Sequence, residues 1–301
     1  MLVHNSDKNN VVLITGASSG IGKCLASLLS QRGYRVYGTS RKQPLMNMES
    51  RSNAAGHGMS RDNTTFDRGS TDSPDCGFIK MIQLDVCCDE SVEQAVNYVI
   101  QQEGRIDILI NNAGFGLAGA VEDVSHEEAY RQFDTNFFGV LRMCRKVIPI
   151  MREQKSGIII NISSVAAQFS IPFQSMYSAS KGALELVTEA MRIELKPFGI
   201  KVCLVEPGDT RTSFTDNRQT AKAALQEDSA YGERFRKSVN AMIRDEINGP
   251  APEGVAKVVL KLIKRKNPPI RKVVGIKYKV FVFLKRLLPS RIVEYLISKM
   301  Y

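Results

Sequence analysis

Val11-Val12-Leu13-Ile14-Thr15-Gly16-Ala17-Ser18-Ser19-Gly20-Ile21-Gly22 is the stretch from which the rest of the chain is read. The aliphatic run Val11–Thr15 predicts a strand buried on both faces. Glycines at 16, 20 and 22 let the backbone turn sharply and come close to a ligand. The amphipathic run Gly22–Gln31 predicts a helix whose N-terminus offers unpaired N–H groups and a partial positive charge. A strand, a glycine turn and a helix N-terminus in that order make a cradle for a pyrophosphate. Gly16, Ser18, Ser19, Gly20, Ile21 and Gly22 are therefore candidate dinucleotide-binding residues, against the plainer reading of a structural turn.

Outward from this stretch, short apolar runs alternate with longer amphipathic ones. Strands are predicted at Arg35–Thr39, Phe78–Leu84, Ile106–Ile110, Gly157–Ile162 and Lys201–Val205. Between them lie helices near Glu90–Gln102, with Asp89 and Ser91 as cap candidates, at Ser125–Glu153, interrupted near Pro149, and at Ser175–Pro197. Strands apolar on both faces and separated by helices predict a parallel sheet covered on both sides: an α/β, doubly wound Rossmann fold. One catalytic domain is expected over residues 1–250, followed by a basic, amphipathic helical tail over 251–301. Gln43–Gly77 breaks the rhythm. It is rich in Ser, Asn, Asp, Arg and Gly, with too little apolar surface to offset its ordering entropy, so a mobile insertion is expected there.

The chain has 301 residues, 43% of them apolar, enough for a sizeable core, and no apolar run long enough to span a bilayer. A polar N-terminus gives no signal-peptide pattern. The six cysteines are scattered without a CxxC pair and read as reduced thiols in a cytoplasmic setting. His4, His57 and His126 lie in polar stretches, and no metal site is expected. Net charge is +10, but Lys257–Tyr301 holds 13 Lys and Arg against the single acid Glu294, leaving residues 1–256 at −2. The basicity therefore belongs to the tail. Its cations are interleaved with large aliphatics and form no polar stripe, which argues against nucleic acid.

Two features concern chemistry. The second strand ends in Thr39-Ser40-Arg41-Lys42. A carboxylate there would accept the ribose hydroxyls of NAD, whereas Arg41, beside Ser40, suits a 2′-phosphate, so NADPH is favoured over NADH. A solvated basic turn is the alternative. Tyr177-Ser178-Ala179-Ser180-Lys181 sets a phenol and an ammonium four residues apart on one helix face. An adjacent ammonium is expected to lower the phenol's pKa and make it a working acid and base.

The GxxxGxG spacing after a strand, Asn111-Asn112-Ala113-Gly114 after the fourth strand and the Tyr–x₃–Lys pair resemble the short-chain dehydrogenase/reductase family, from Thr15 through Thr212. The resemblance implies further roles. Asp85, followed by Val86, matches the residue that holds the adenine amino group, although an Asp helix cap reads equally from composition. Asn112, Ala113 and Gly114 belong to the cofactor site. Ser164, thirteen residues before Tyr177, matches the serine that binds the substrate oxygen, with Ser163 as the competing register. Asn136 matches the asparagine that holds a water in a proton relay to the lysine. Pro207, Gly208, Thr210 and Thr212 match the loop at the nicotinamide end. Asn136, Ser164, Tyr177 and Lys181 would then be catalytic: Ser164 orients the carbonyl, Tyr177 gives or takes the proton, and Lys181 tunes Tyr177 and grips the ribose. The hydride is the cofactor's contribution. The same resemblance implies a homodimer or homotetramer paired through the helices carrying Asn136 and Tyr177.

Apolar residues flank these motifs: Phe169, Ile171, Pro172, Phe173 and Met176, and Phe115 and Leu117. Either they line a cleft for a hydrophobic substrate, steroid-, retinoid- or lipid-like, or they pack a sheet edge or a subunit contact. By the same family resemblance, Asp209–Pro250 is expected to form a flexible substrate lid. Residues 275–301 suit peripheral contact with an anionic membrane surface, or an apolar face docked on the body with its lysines in water. An NADP(H)-dependent carbonyl–alcohol oxidoreductase is the expected function. A catalytically weak dinucleotide-binding sensor or scaffold is the alternative.

Overall fold

The computed structural model describes residues 9–42 and 77–301. The expected insertion at Gln43–Gly77 lies outside the described residues except for Gly77. In chain order the elements are β1 (Val11–Ile14), α1 (Gly20–Ser30), β2 (Arg35–Ser40), β3 (Phe78–Gln83), α2 (Asp89–Glu103), β4 (Ile108–Asn111) and β5 (Leu117–Ala118). There follow α3 (His126–Phe133), α4 (Gly139–Glu153), β6 (Gly157–Ile162), α5 (Ser175–Leu195), β7 (Ile200–Glu206) and β8 (Gln219–Thr220). The C-terminal part adds α6 (Gly232–Ile247), α7 (Glu253–Ile263), β9 (Arg271–Val273), α8 (Ile276–Leu287) and α9 (Ser290–Met300).

Seven strands form one parallel sheet in the order β3-β2-β1-β4-β6-β7-β9. Alternation along each strand divides its side chains between two cores. Leu13, Leu109 and Ile159 pack under α2, α4 and α5 with Val96, Val147 and Leu184. Val12, Ile108 and Ile160 pack against α1 and α7 with Leu25, Leu29, Val255 and Val259. This is the doubly wound α/β architecture expected from the apolar strands. Strand order reverses between β1 and β4, which opens a crevice at the carboxyl ends of the strands.

Two expectations are corrected. Pro149 does not interrupt the long helix: it sits inside α4. Its missing N–H would have bonded the carbonyl of Arg145, an exposed residue, so the loss costs little. The break lies earlier, in a single π-helical turn at Asp134–Phe138 between α3 and α4. One extra residue in the turn swings the following helix and directs Asn136 inward.

The body also extends past residue 250. Helix α7 covers α1, and β9 pairs with β7 as the seventh strand, Leu204 opposite Arg271. Arg271 pairs with Glu185, with Glu189 at 2.8 Å and with Glu206 at 3.1 Å. Part of the tail's charge is thus neutralised inside the fold, and the separate tail begins only at α8. Among the described residues no helix is long and apolar enough to cross a membrane.

Candidate active site

A cavity of about 1370 Å³ lies over the carboxyl ends of β1, β4, β6 and β7. Each loop after a strand contributes. Gly16, Ser18, Ser19, Gly20 and Ile21 line it from β1, and Ser40 and Arg41 from β2. Asp85 and Val86 follow β3; Asn112, Ala113 and Gly114 follow β4. Ser164, Tyr177 and Lys181 form the floor, with Pro207, Gly208, Thr210 and Thr212 after β7. Gly22 and Asn136, also expected at the site, stand behind this wall.

The glycine turn is locked by its neighbours. Gly16 has φ +66°, and a Cβ there would sit 2.9 Å from the Cα of Ala113. A side chain at Gly22 would meet the Asn112 amide nitrogen at 2.6 Å, so this glycine serves close packing. Asn112 Nδ2 donates to the carbonyls of Thr15 (3.0 Å) and Gly16 (2.9 Å), while Thr15 Oγ1 accepts from the N–H groups of Asn112 (2.9 Å) and Ala113 (3.0 Å). The Asn112 side chain therefore braces the cradle. Ser19 at the N-cap of α1 makes no side-chain cap bond, and no acid stands in the first turn. These N–H groups face the cavity with positive potential and no competing carboxylate, which fits a dinucleotide's phosphates. Arg41 lines the same end from the tip of β2.

Asp85 serves two purposes. It lines the cavity, while its Oδ1 accepts from the N–H of Cys87 at 2.9 Å and its own N–H donates to Ser91 Oγ at 3.0 Å. The N-cap of α2 is Cys88, so neither Asp89 nor Ser91 takes the capping position expected from the sequence.

The chemical end is built around Tyr177. The Ser164 hydroxyl lies beside the phenol and lowers its pKa, and it accepts from the Ala166 N–H at 3.1 Å. Ser163 turns away and donates to Glu185 Oε1 at 2.9 Å, so Ser164 is the serine that meets the tyrosine. One helical turn on, Lys181 Nζ lies 6.0 Å from the Tyr177 ring centre and donates to the Ile162 carbonyl at 2.9 Å. Asn136 is fully buried. Its Oδ1 accepts from the Phe115 N–H (3.1 Å), and its Nδ2 donates to the Phe115 carbonyl (3.0 Å) and Ser180 Oγ (3.3 Å). A Cβ on Gly114 would touch both Asn136 Oδ1 (3.0 Å) and Lys181 Nζ (3.6 Å), so these two groups abut the same piece of backbone.

Burial dominates the electrostatics. It pushes Lys181 down to about 8, a shift partly opposed by Glu185. It pushes Tyr177 up to about 12, opposed by the Ser164 hydrogen bond, with Glu246 raising and Arg218 lowering it further. The expectation that the neighbouring ammonium lowers the phenol is corrected here: the desolvation of a phenolate outweighs an ammonium that points at a backbone carbonyl. Tyr177 is protonated at neutral pH, which is the form of a proton donor.

Sequence reasoning missed the far wall. Phe214 packs against Tyr177, the rings tilted at 56° with centres 5.5 Å apart. Glu246, held by Arg218 and by Thr215 Oγ1 at 2.7 Å, lines the cavity, and burial raises its pKa from the ordinary value. Tyr278 of α8 lies across Gly208, donates to Asp209 Oδ2 at 2.5 Å and accepts from the Asp209 N–H at 3.0 Å. These residues carry no motif; only their meeting in space marks them. Of the expected apolar wall, Phe115, Phe169 and Ile171 line the cavity, joined by Phe281, Leu284 and Ile297 from the tail. Phe173 instead packs between Tyr231 and Phe235, and Pro172 opens on a neighbouring hollow. Met176 and Leu117 do not line the cavity.

Residues 10–223 match the short chain dehydrogenase family. The chain is 41% identical to a 3-ketodihydrosphingosine reductase of Bacteroides thetaiotaomicron, over 97% of each chain. It is 35% identical to retinol dehydrogenase 8 of Bos taurus, over 95% of this chain and 88% of that one. A crystal structure of a short-chain dehydrogenase from Streptomyces avermitilis superposes with a TM-score of 0.72 at 30% identity, covering 91% of this chain and 92% of the other.

Proposed function

The chain belongs to the short-chain dehydrogenase family, and on that footing we propose that it is an NADPH-dependent reductase of long-chain, lipid-like ketones, acting through Asn136, Ser164, Tyr177 and Lys181. As a member it is an oxidoreductase that uses a nicotinamide dinucleotide and interconverts carbonyl and alcohol groups. One observation carries the finer reading: a protonated phenol, a serine hydroxyl and a lysine converge on a cavity whose farther wall is apolar and continues into the tail.

The dinucleotide, when bound, supplies the hydride. The Gly16–Gly22 turn and Arg41 hold its phosphates, and Pro207 to Thr212 border the nicotinamide end. Ser164 and Tyr177 donate hydrogen bonds to the substrate carbonyl oxygen, which fixes its orientation and draws charge onto oxygen as the carbon is reduced. Tyr177 gives up its proton to that oxygen. Lys181 stabilises the phenolate left behind, and Asn136 keeps the backbone at Phe115 in place beside it. In the reverse direction Tyr177 takes the proton. The walls of Phe169, Phe214 and Phe281 exclude water and accept an extended apolar chain, and the relatives' names favour such a substrate. Exposed Tyr130, Phe138, Leu186 and Ile193 on α3, the π turn and α5 support pairing of two copies through those helices.

The test is NADPH oxidation followed at saturating cofactor with 3-ketodihydrosphingosine, retinaldehyde and a short aromatic ketone. The long-chain ketone is expected to have a kcat/KM at least about tenfold above the short one, from burial of its extra methylenes. Tyr177→Phe is expected to keep NADPH binding and lose about a thousandfold in kcat. A wild-type chain that binds NADPH tightly and turns over none of the three would replace the enzyme with the sensor or scaffold reading.

A further inference from the structure

Helix α8 is apolar on two sides. Tyr278, Phe281 and Leu284 face the cavity. Ile276, Val280, Phe283 and Leu287 do not line it and are 80%, 48%, 60% and 65% exposed. Their spacing of four, three and four residues places them in one stripe along the whole helix. Ile292 and Tyr295 extend the exposed apolar surface onto α9. A stripe this long on a water-facing helix is unusual for a soluble surface, and the core of the protein does not use it. Exposed Lys279, Arg286 and Arg291 surround it, with Glu294 the only acid on either helix.

We propose that the outer face of the α8–α9 cap docks on an anionic lipid bilayer, with the stripe in the headgroup region and the cations against lipid phosphates. The charge selects this occupant. A second copy seated on the same face would bring two strongly basic surfaces together, whereas an anionic surface complements them. Neither helix is long and apolar enough to cross a bilayer, so the contact is interfacial. Because the inner faces of the same two helices wall the cavity, docking holds the site within a helix diameter of the lipid. The consequence for substrate supply rests on the proposed function; the docking itself does not.

The experiment is co-sedimentation of the full chain with vesicles of phosphatidylcholine alone and with a third of it replaced by phosphatidylglycerol, at low and high salt. Binding to the anionic vesicles is expected, weakened by salt. Phe283→Ser with Leu287→Ser is expected to lower it about tenfold or more by removing two inserted side chains. Val121→Ser with Leu225→Ser, two exposed positions outside the tail and outside the cavity, is expected to leave it unchanged. NADPH binding by the tail variant shows that it is folded. Equal partitioning of wild type and the tail variant would overturn the proposal. So would indifference to lipid charge, or a tail variant whose only change is a halved molecular mass in light scattering. Vesicle binding by a chain inactive on every ketone would remove the proposed reaction and leave the docking standing.

Discussion

At the end of the cavity proposed for the dinucleotide, the lining comes from Gly16–Ile21, Ser40–Arg41 and Asn112–Gly114, each a few consecutive residues at the end of a strand. At the substrate end, Phe214, Glu246 and Tyr278 arrive from a loop, the last turn of α6 and the start of α8. The first region works through backbone N–H groups and glycine geometry, so its chemistry is written in contiguous sequence. The second works through side chains whose neighbours are set by how the 209–250 segment and the C-terminal helices pack. Tyr278 joins the two, because its hydroxyl holds Asp209, which lies inside the Pro207–Thr212 loop proposed to border the nicotinamide.

Among substitutions that separate the two ends, the largest effect should come from the local one. Arg41→Ala is expected to lower the NADPH-over-NADH ratio of kcat/KM by about tenfold or more, through loss of a charged pair with the 2′-phosphate. Steady-state kinetics with both cofactors checks it, and an unchanged ratio returns Arg41 to a solvated turn. A smaller effect tests the link between regions. Tyr278→Phe removes both hydrogen bonds of that hydroxyl to Asp209 and is expected to raise KM for the long-chain ketone about threefold to tenfold. NADPH affinity should move much less. Equal changes in both would mean that the latch serves the cofactor end instead.

The smallest effect concerns Lys181 itself. Its folded pKa of about 8 lies below the ordinary 10.5, so between these values the unfolded chain holds the additional proton. Stability owed to this group therefore rises with pH across that window, by at most about 1.4 kcal/mol per pH unit, and the burial penalty is present in full below it. Urea unfolding at several pH values should show the slope in wild type minus Lys181→Met. A flat difference would mean that Lys181 is better solvated than its burial implies.

Much of the fold was legible because both faces of its strands are apolar: β6 falls on the expected Gly157–Ile162, and the other early strands shift by a residue or two. The π turn was not legible, since Asp134-Thr135-Asn136-Phe137-Phe138 has ordinary helical composition and its extra residue is set by packing. Nor was β9, three residues long, whose Arg271 looked like tail charge until three carboxylates surrounded it. At the site, Tyr177 and Lys181 were visible from helix spacing. The sign of the tyrosine's pKa shift was not, because it depends on desolvation by residues distant in sequence.

The sequence by itself determined the doubly wound sheet, the glycine turn at the head of α1 and the pairing of a phenol with an ammonium on one helix. These depend on periods of two and 3.6 residues and on glycines that act through their own backbone. Only the tertiary structure decided which serine meets Tyr177, where the body ends, what walls the substrate end and which face of α8 is left to the solvent. Those depend on burial and on distances between groups far apart in the chain, which no local pattern encodes.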